Sequence, residues 1–250
     1  MAVKLDPRFK LGIDKIKQLS KYPRYEAALI FGSVAEGTST EKSDLDIKVV
    51  VNEDNPCGNI NHPSFDGYKL DITFRSFKQL EKDTNEDIKK TEREPNLLQA
   101  VILFDKTGEL TSLQKKICKI KRTKASQKDY QLLQFMLYHA NNKVERALKD
   151  DHMSSLYSMY ANIGEVLKIH FKLNGKWWVS SKNVLKSLDE WDPKMANLVK
   201  KFVSSPKLDV KYKYWAAIID HVSKPMGGRQ SITENNCTCI VCKKDLALLA

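Results

Sequence analysis

Two short stretches decide the reading: Glu26-Ala-Ala-Leu-Ile-Phe-Gly-Ser33 and, after ten intervening residues, Asp44-Leu-Asp-Ile-Lys-Val-Val-Val51. Each is an apolar run of strand length, and the first is stopped by Gly32-Ser33. A strand turns residues i and i+2 to the same face, so Asp44 and Asp46 point together at the start of the second run. Two carboxylates side by side repel unless a cation sits between them, and oxygen donors suit Mg²⁺. Gly32 lacks a Cβ and lets backbone come close to a phosphate. Ser33 adds a hydroxyl and an amide ahead of a helix start that favours anions.

Further along, Gly67-Tyr-Lys-Leu-Asp-Ile-Thr-Phe74 reads as a third strand, and Ala100-Val-Ile-Leu-Phe104 as a fourth, closed by the turn Asp105-Lys-Thr-Gly108. Asp71 is the one charge in the apolar middle of the third strand. A carboxylate there is costly to bury unless it is paired or binds metal. If strands two and three are neighbours, Asp71 completes a three-carboxylate site as metal ligand or as base for an incoming hydroxyl. Ser76 is expected to cap a helix running to about Arg93, and a further helix is expected over 109–121.

From about Ser126 the apolar period becomes helical, with Leu132, Leu133, Phe135, Met136 and His139 at helical spacing. Helices are expected over 126–149, 154–171, 182–190, 193–203 and 210–223, which makes this half a small bundle. The expected organisation is a catalytic domain at 1–118, a bundle at 119–225 and a flexible Cys-containing tail at 226–250.

Across 250 residues the chain is 42% hydrophobic and 29% charged, with net charge +11. That is the composition of a soluble globular protein with a real core. No stretch has the roughly 18 uncharged apolar residues of a membrane helix, and the start lacks the apolar run of a secretion signal. Five scattered cysteines are poor material for a disulfide framework, so a reducing, cytoplasmic setting is expected. Residues 1–118 carry 19 Lys/Arg and 19 Asp/Glu, whereas 119–250 carry 23 against 12. The whole positive excess therefore lies in the second half and points to an anionic partner there, with RNA among the candidates.

The Gly-Ser and Asp-x-Asp pattern, its spacer and the third acid one strand later resemble the nucleotidyltransferase superfamily that shares the catalytic domain of DNA polymerase β. The resemblance covers roughly residues 20–118. It implies an α+β fold, a mixed sheet flanked by helices, here followed by an all-helical bundle. That arrangement is similar to the antibiotic and minimal nucleotidyltransferases, the kanamycin and lincosamide enzymes among them. The resemblance implies transfer of AMP or another nucleotide from a nucleoside triphosphate to a hydroxyl of a small acceptor such as an antibiotic, with pyrophosphate released. It also implies two Mg²⁺ ions, or Mn²⁺, held by Asp44, Asp46 and Asp71, with Gly32 and Ser33 on the phosphates.

Two residues of the bundle enter by the same resemblance. Glu165 in Asn162-Ile-Gly-Glu165 is the candidate base, the alternative being a solvated helix charge. Lys182 is the candidate triphosphate lysine, the alternative being an ordinary surface lysine. Trp177 and Trp178 read as a stacking platform or as core packing. Acceptors of a second kind, tRNA, other RNA or protein, fit the basic second half. A catalytically silent antitoxin module is a third reading, and Arg146 with His152 matches the loose Arg-x(4–6)-His pattern of the helical RNases paired with minimal nucleotidyltransferases. Cys237, Cys239 and Cys242 read as free tail thiols, no second pair of ligands accompanying them, the alternative being an intermolecular metal site made by two tails. His62, His139 and His170 have no partner at catalytic spacing. The oligomeric state is open, a homodimer included.

Overall fold

Strand β1 (Tyr25–Phe31) buries all of Ala27 to Ile30, because both of its faces are covered. In the computed structural model, which describes residues 5–54, 64–65, 67–91 and 94–229, β1 pairs antiparallel with β2 (Leu45–Val51) on one side. On its other side it pairs antiparallel with β5 (Val101–Asp105). β2 pairs parallel with β4 (Tyr68–Ser76), and the two-residue β3 (Ser64–Phe65) closes that edge as an antiparallel partner of β4. The order β3-β4-β2-β1-β5 is a mixed sheet.

Alternation along β2 explains its two faces. Leu45, Ile47, Val49 and Val51 enter one core with Ala28 and Ile30 of β1. That core is roofed by α1 (Lys10–Gln18), through Ile13 and Ile16, and by the single turn α2 (Gly32–Ala35), through Val34 and Ala35. The opposite face packs Ala27, Leu29 and Val50 against Leu80 of α3 (Phe77–Glu86) and Leu110, Leu113 and Ile117 of α4 (Glu109–Cys118).

The expected strands at 26–31, 45–51, 67–74 and 100–104 match β1, β2, β4 and β5 to within two residues at each end. Ser76 does cap α3, in a reciprocal capping box: it accepts the Gln79 amide at 3.1 Å while Gln79 Oε1 accepts the Ser76 amide at 3.0 Å. Regular helix ends earlier than expected, at Glu86, and the chain continues as a wider π turn over Asp87–Thr91. Helix α1 was not foreseen. It is tied to the sheet by the Gly12 amide, which donates to Tyr68 Oη at 3.0 Å, and a Cβ at Gly12 would run into that hydroxyl.

The chain divides into two compact units, Met1–Arg122 and Thr123–Ala250. The second is all-helical in its described residues: α5 (Gln127–Asp150), α6 (His152–Leu173), α7 (Val184–Trp191), α8 (Pro193–Ser204) and α9 (Leu208–Ser223). Carboxylates cap three of these starts: Asp129 in a box with Ser126, Asp151 for α6, and Asp192 for α8. Trp215, Phe171, Phe202, Met159 and Leu188 fill the core. Trp178 packs against that core, edge-on to Phe171 at 5.2 Å. On α5 the buried positions are Leu133, Leu137, Ala140, Asn141 and Val144, whereas Leu132, Phe135 and Met136 stay exposed. The apolar residues read together from the sequence thus lie on two faces.

Lys211 of α9 is buried in this unit. Its Nζ donates to Tyr160 Oη at 2.7 Å and to the Phe202 and Val203 carbonyls at 2.7 and 3.3 Å, at the end of α8. An ammonium there satisfies orphan carbonyls and the negative end of the helix dipole together. Among the described residues no helix is long and apolar enough to cross a membrane. Cys57, His62, Cys237, Cys239 and Cys242 lie outside the described residues.

Candidate active site

The site is built where β1 ends and β2 begins. Antiparallel pairing sets Phe31 opposite Asp46, and parallel pairing sets Asp46 opposite Asp71. Phe31, Asp46 and Asp71 thus form a row across three strands, on the face turned away from Leu45, Ile47 and Leu70. Neighbouring strands lie about 4.8 Å apart, so the two carboxylates project side by side. At about 5 Å and an effective dielectric of 20 such charges repel by roughly 3 kcal/mol, a repulsion that a divalent cation between them reverses. Asp44 stands two residues upstream of Asp46, just ahead of the strand, and all three carboxylates are half-buried.

Gly32 follows Phe31 with φ +68°. A Cβ at this position would collide with the Asp46 carboxylate, so the glycine is required by packing as well as by backbone conformation. Ser33 is buried in α2, and its carbonyl accepts the Thr38 amide at 2.8 Å. The loop leading to Asp44 is anchored to the segment before α1. Arg8 Nη2 donates to the Thr40 carbonyl at 2.6 Å, and Ser39 Oγ donates to Asp6 Oδ2 at 3.1 Å. Asp6 is held below the usual carboxylate range chiefly by the Arg8 amide that it accepts.

Sequence reading missed Lys48. It continues the Asp44, Asp46 alternation on β2, one step further into the sheet, and pairs with Thr73 of β4. Its Nζ sits 5.2 Å from the centre of the Phe31 ring. Burial pushes its pKa down, while Asp83 and Asp87 of the covering α3 region pull it back up. The period-two pattern from Asp44 was the available signal.

The other two candidates belong to the second unit. Glu165, on α6, is solvent-exposed and pairs with Lys168 at 2.5 Å. Lys182 is exposed in the single turn Ser181–Asn183. Arg146 lies in α5 and His152 opens α6, so the two stand on different helices on either side of Asp151. His170 is not partnerless: together with His221 it reaches Asp192. Those three residues are far apart in the chain, and no local pattern announced them.

Residues 14–111 match the family model described as Polymerase beta, Nucleotidyltransferase. The match spans β1, β2, β4 and β5 with the Gly32 and three-aspartate arrangement, and the first unit has the polymerase β-like nucleotidyltransferase fold. Among solved structures, a nucleotidyltransferase-like protein from Exiguobacterium sibiricum 255-15 is similar at 10% identity and a TM-score of 0.47, over 88% of this chain and 74% of that one. No curated protein matches the chain.

Proposed function

We propose that this protein transfers a nucleoside monophosphate, AMP in the first instance, from a nucleoside triphosphate to a hydroxyl of a small acceptor, releasing pyrophosphate. The observation that carries the reading is the in-register pair Asp46–Asp71, with Gly32 pressed against the Asp46 carboxylate. An all-oxygen donor set fits Mg²⁺. Asp44, Asp46 and Asp71 would hold the metal. Bound there, it would neutralise the phosphate charge that builds up during in-line attack.

The chain's own residues supply position. Gly32 admits the phosphates close to the backbone, and Ser33 presents its amide at the same turn. Asp71 would share the cation or take the acceptor's proton. Lys182 on the triphosphate and Glu165 as an alternative base remain part of the proposal. The antibiotic-modifying and cytoplasmic roles stand on the same footing. RNA or protein is the second acceptor class, favoured by the positive excess of residues 119–250.

Transfer of label from α-labelled triphosphates to an acceptor panel tests the reading. Asp46→Asn and Asp71→Asn are expected to abolish Mg²⁺-dependent transfer with the fold intact. Absence of transfer from all four triphosphates to small acceptors, tRNA and protein alike would overturn it. Salt-dependent tRNA binding would select the RNA version.

A further inference from the structure

His170 on α6, Asp192 at the start of α8 and His221 on α9 meet inside the second unit. His170 Nε2 lies 2.9 Å and His221 Nε2 2.8 Å from the same oxygen, Asp192 Oδ2. One ligand atom from each residue falls within 4.8 Å of the others. Two imidazole nitrogens and a carboxylate oxygen are a donor set that zinc and neighbouring divalent transition metals favour, commonly with water in the fourth position.

The donors are held in place independently of any ion. Asp192 Oδ1 accepts the Met195 amide at 3.0 Å as the cap of α8, which fixes the carboxylate and leaves Oδ2 directed at the histidines. The His170 ring is stacked on Trp191, 5.0 Å between ring centres at 22°. His221 and Asp192 are 22% and 17% exposed, so one side is open for metal entry and a water ligand. Zinc bonds of about 2.0–2.1 Å set tetrahedral ligand atoms about 3.3 Å apart. The observed 2.8 and 2.9 Å open by about half an ångström to reach that spacing, and the two imidazole nitrogens, within 4.8 Å of each other, close towards it.

We propose that His170, Asp192 and His221 form a site for a divalent transition metal of the zinc class, which clips α6, α8 and α9 together.

One neighbour sets the affinity. Ligation through Nε2 leaves the hydrogen of His170 on Nδ1, where a metal-bound imidazole normally finds an acceptor. Here Asn174 Nδ2 lies 3.4 Å from that nitrogen and donates to the His170 carbonyl at 2.8 Å. An amide hydrogen opposes the metal-bound tautomer. Asn174→Asp supplies a carboxylate acceptor instead, and should tighten metal binding by roughly 10-fold or more. A cluster that serves only as a hydrogen-bonded cap gives no such gain.

The test uses the full-length protein after chelation, with Cys237, Cys239 and Cys242 changed to Ser and Asp46 and Asp71 to Asn, so that neither thiols nor the carboxylates of the first unit compete. Zn²⁺ is titrated by calorimetry with melting followed in parallel, and Co²⁺ is titrated by visible absorption. The expected result is one equivalent bound, a rise in Tm and a Co²⁺ band stronger than an all-oxygen octahedral site gives. All three are lost in His221→Ala and strengthened in Asn174→Asp. Metal binding that survives His221→Ala unchanged lies outside this cluster, and overturns the proposal. So does the absence of any band or shift in the parent together with no gain in Asn174→Asp. Circular dichroism of His221→Ala separates lost ligation from lost folding, and Asn174→Asp needs no such control because it reads a gain. Transfer activity of the first unit is not involved in any of these readouts.

Discussion

Replacing Gly32 by alanine makes two separable demands on the site. The backbone there has φ +68°, a conformation that costs a residue with a side chain about 1–2 kcal/mol. The new Cβ also runs into the Asp46 carboxylate. Gly37 supplies the control: its φ is likewise +68°, but a Cβ there meets nothing within 4 Å. Gly37→Ala should therefore lose about 1–2 kcal/mol in urea denaturation and keep Mg²⁺-dependent nucleotide transfer. Gly32→Ala should lose at least as much stability, and its carboxylate must swing away from the row it forms with Asp71. A catalytic group misplaced by about 1 Å costs on the order of 10²-fold in rate, so transfer should fall about 100-fold in Gly32→Ala alone. Wild-type transfer by Gly32→Ala, or an equal loss in both variants, would refute the claim that Gly32 exists to accommodate Asp46.

Three further outcomes follow from packing and charge. Ser76→Ala removes the capping-box hydroxyl of α3 and should lower stability by about 1 kcal/mol, read from the urea midpoint at unchanged slope. Lys211→Met keeps the volume but leaves the Phe202 carbonyl and Tyr160 hydroxyl without their buried donor; a loss of about 2 kcal/mol is expected by the same measurement. In metal-stripped protein, His170 sits among Asp192, His221 and Trp191 with its pKa lowered from 6.5 to about 4 by burial. A folded-state pKa below the unfolded one means that the unfolded chain takes up the proton first. The stability from keeping His170 neutral is therefore complete above pH 6.5 and is lost as pH falls towards 4. The loss is about 3 kcal/mol, and His170→Asn should flatten that limb of a Tm-against-pH curve.

The parts of the fold legible in the sequence are those written locally. β1, β2 and β4 announce themselves by short apolar runs, and Asp44, Asp46 and Asp71 stand out because a charge inside such a run has a cost. Helix α1 escaped because only Ile13 and Ile16 of its nine residues are large, buried apolar side chains, interleaved with lysines. Lys48 escaped because the β-branched residues after it dominate the reading of β2. The His170, Asp192 and His221 cluster escaped for a different reason. Its members are separated by 22 and 29 residues, and only the packing of three helices brings them together. On α5, helical spacing identified the helix but not its buried side, since Leu132 and Leu133 are adjacent in sequence and differ in exposure.

The parallel alignment of β2 with β4 runs from Leu45–Leu70 to Val51–Ser76 without a break. Residues 52–67, which join the two strands, can therefore change in number without moving Asp71, because seven successive pairings lock its position. Slippage of the pairing itself by a single residue would instead turn Asp71 to the wrong side of the sheet and expose Leu70 in its place. A change of length in that connection thus leaves the row of carboxylates in place, while the phase of the strand that follows it is fixed.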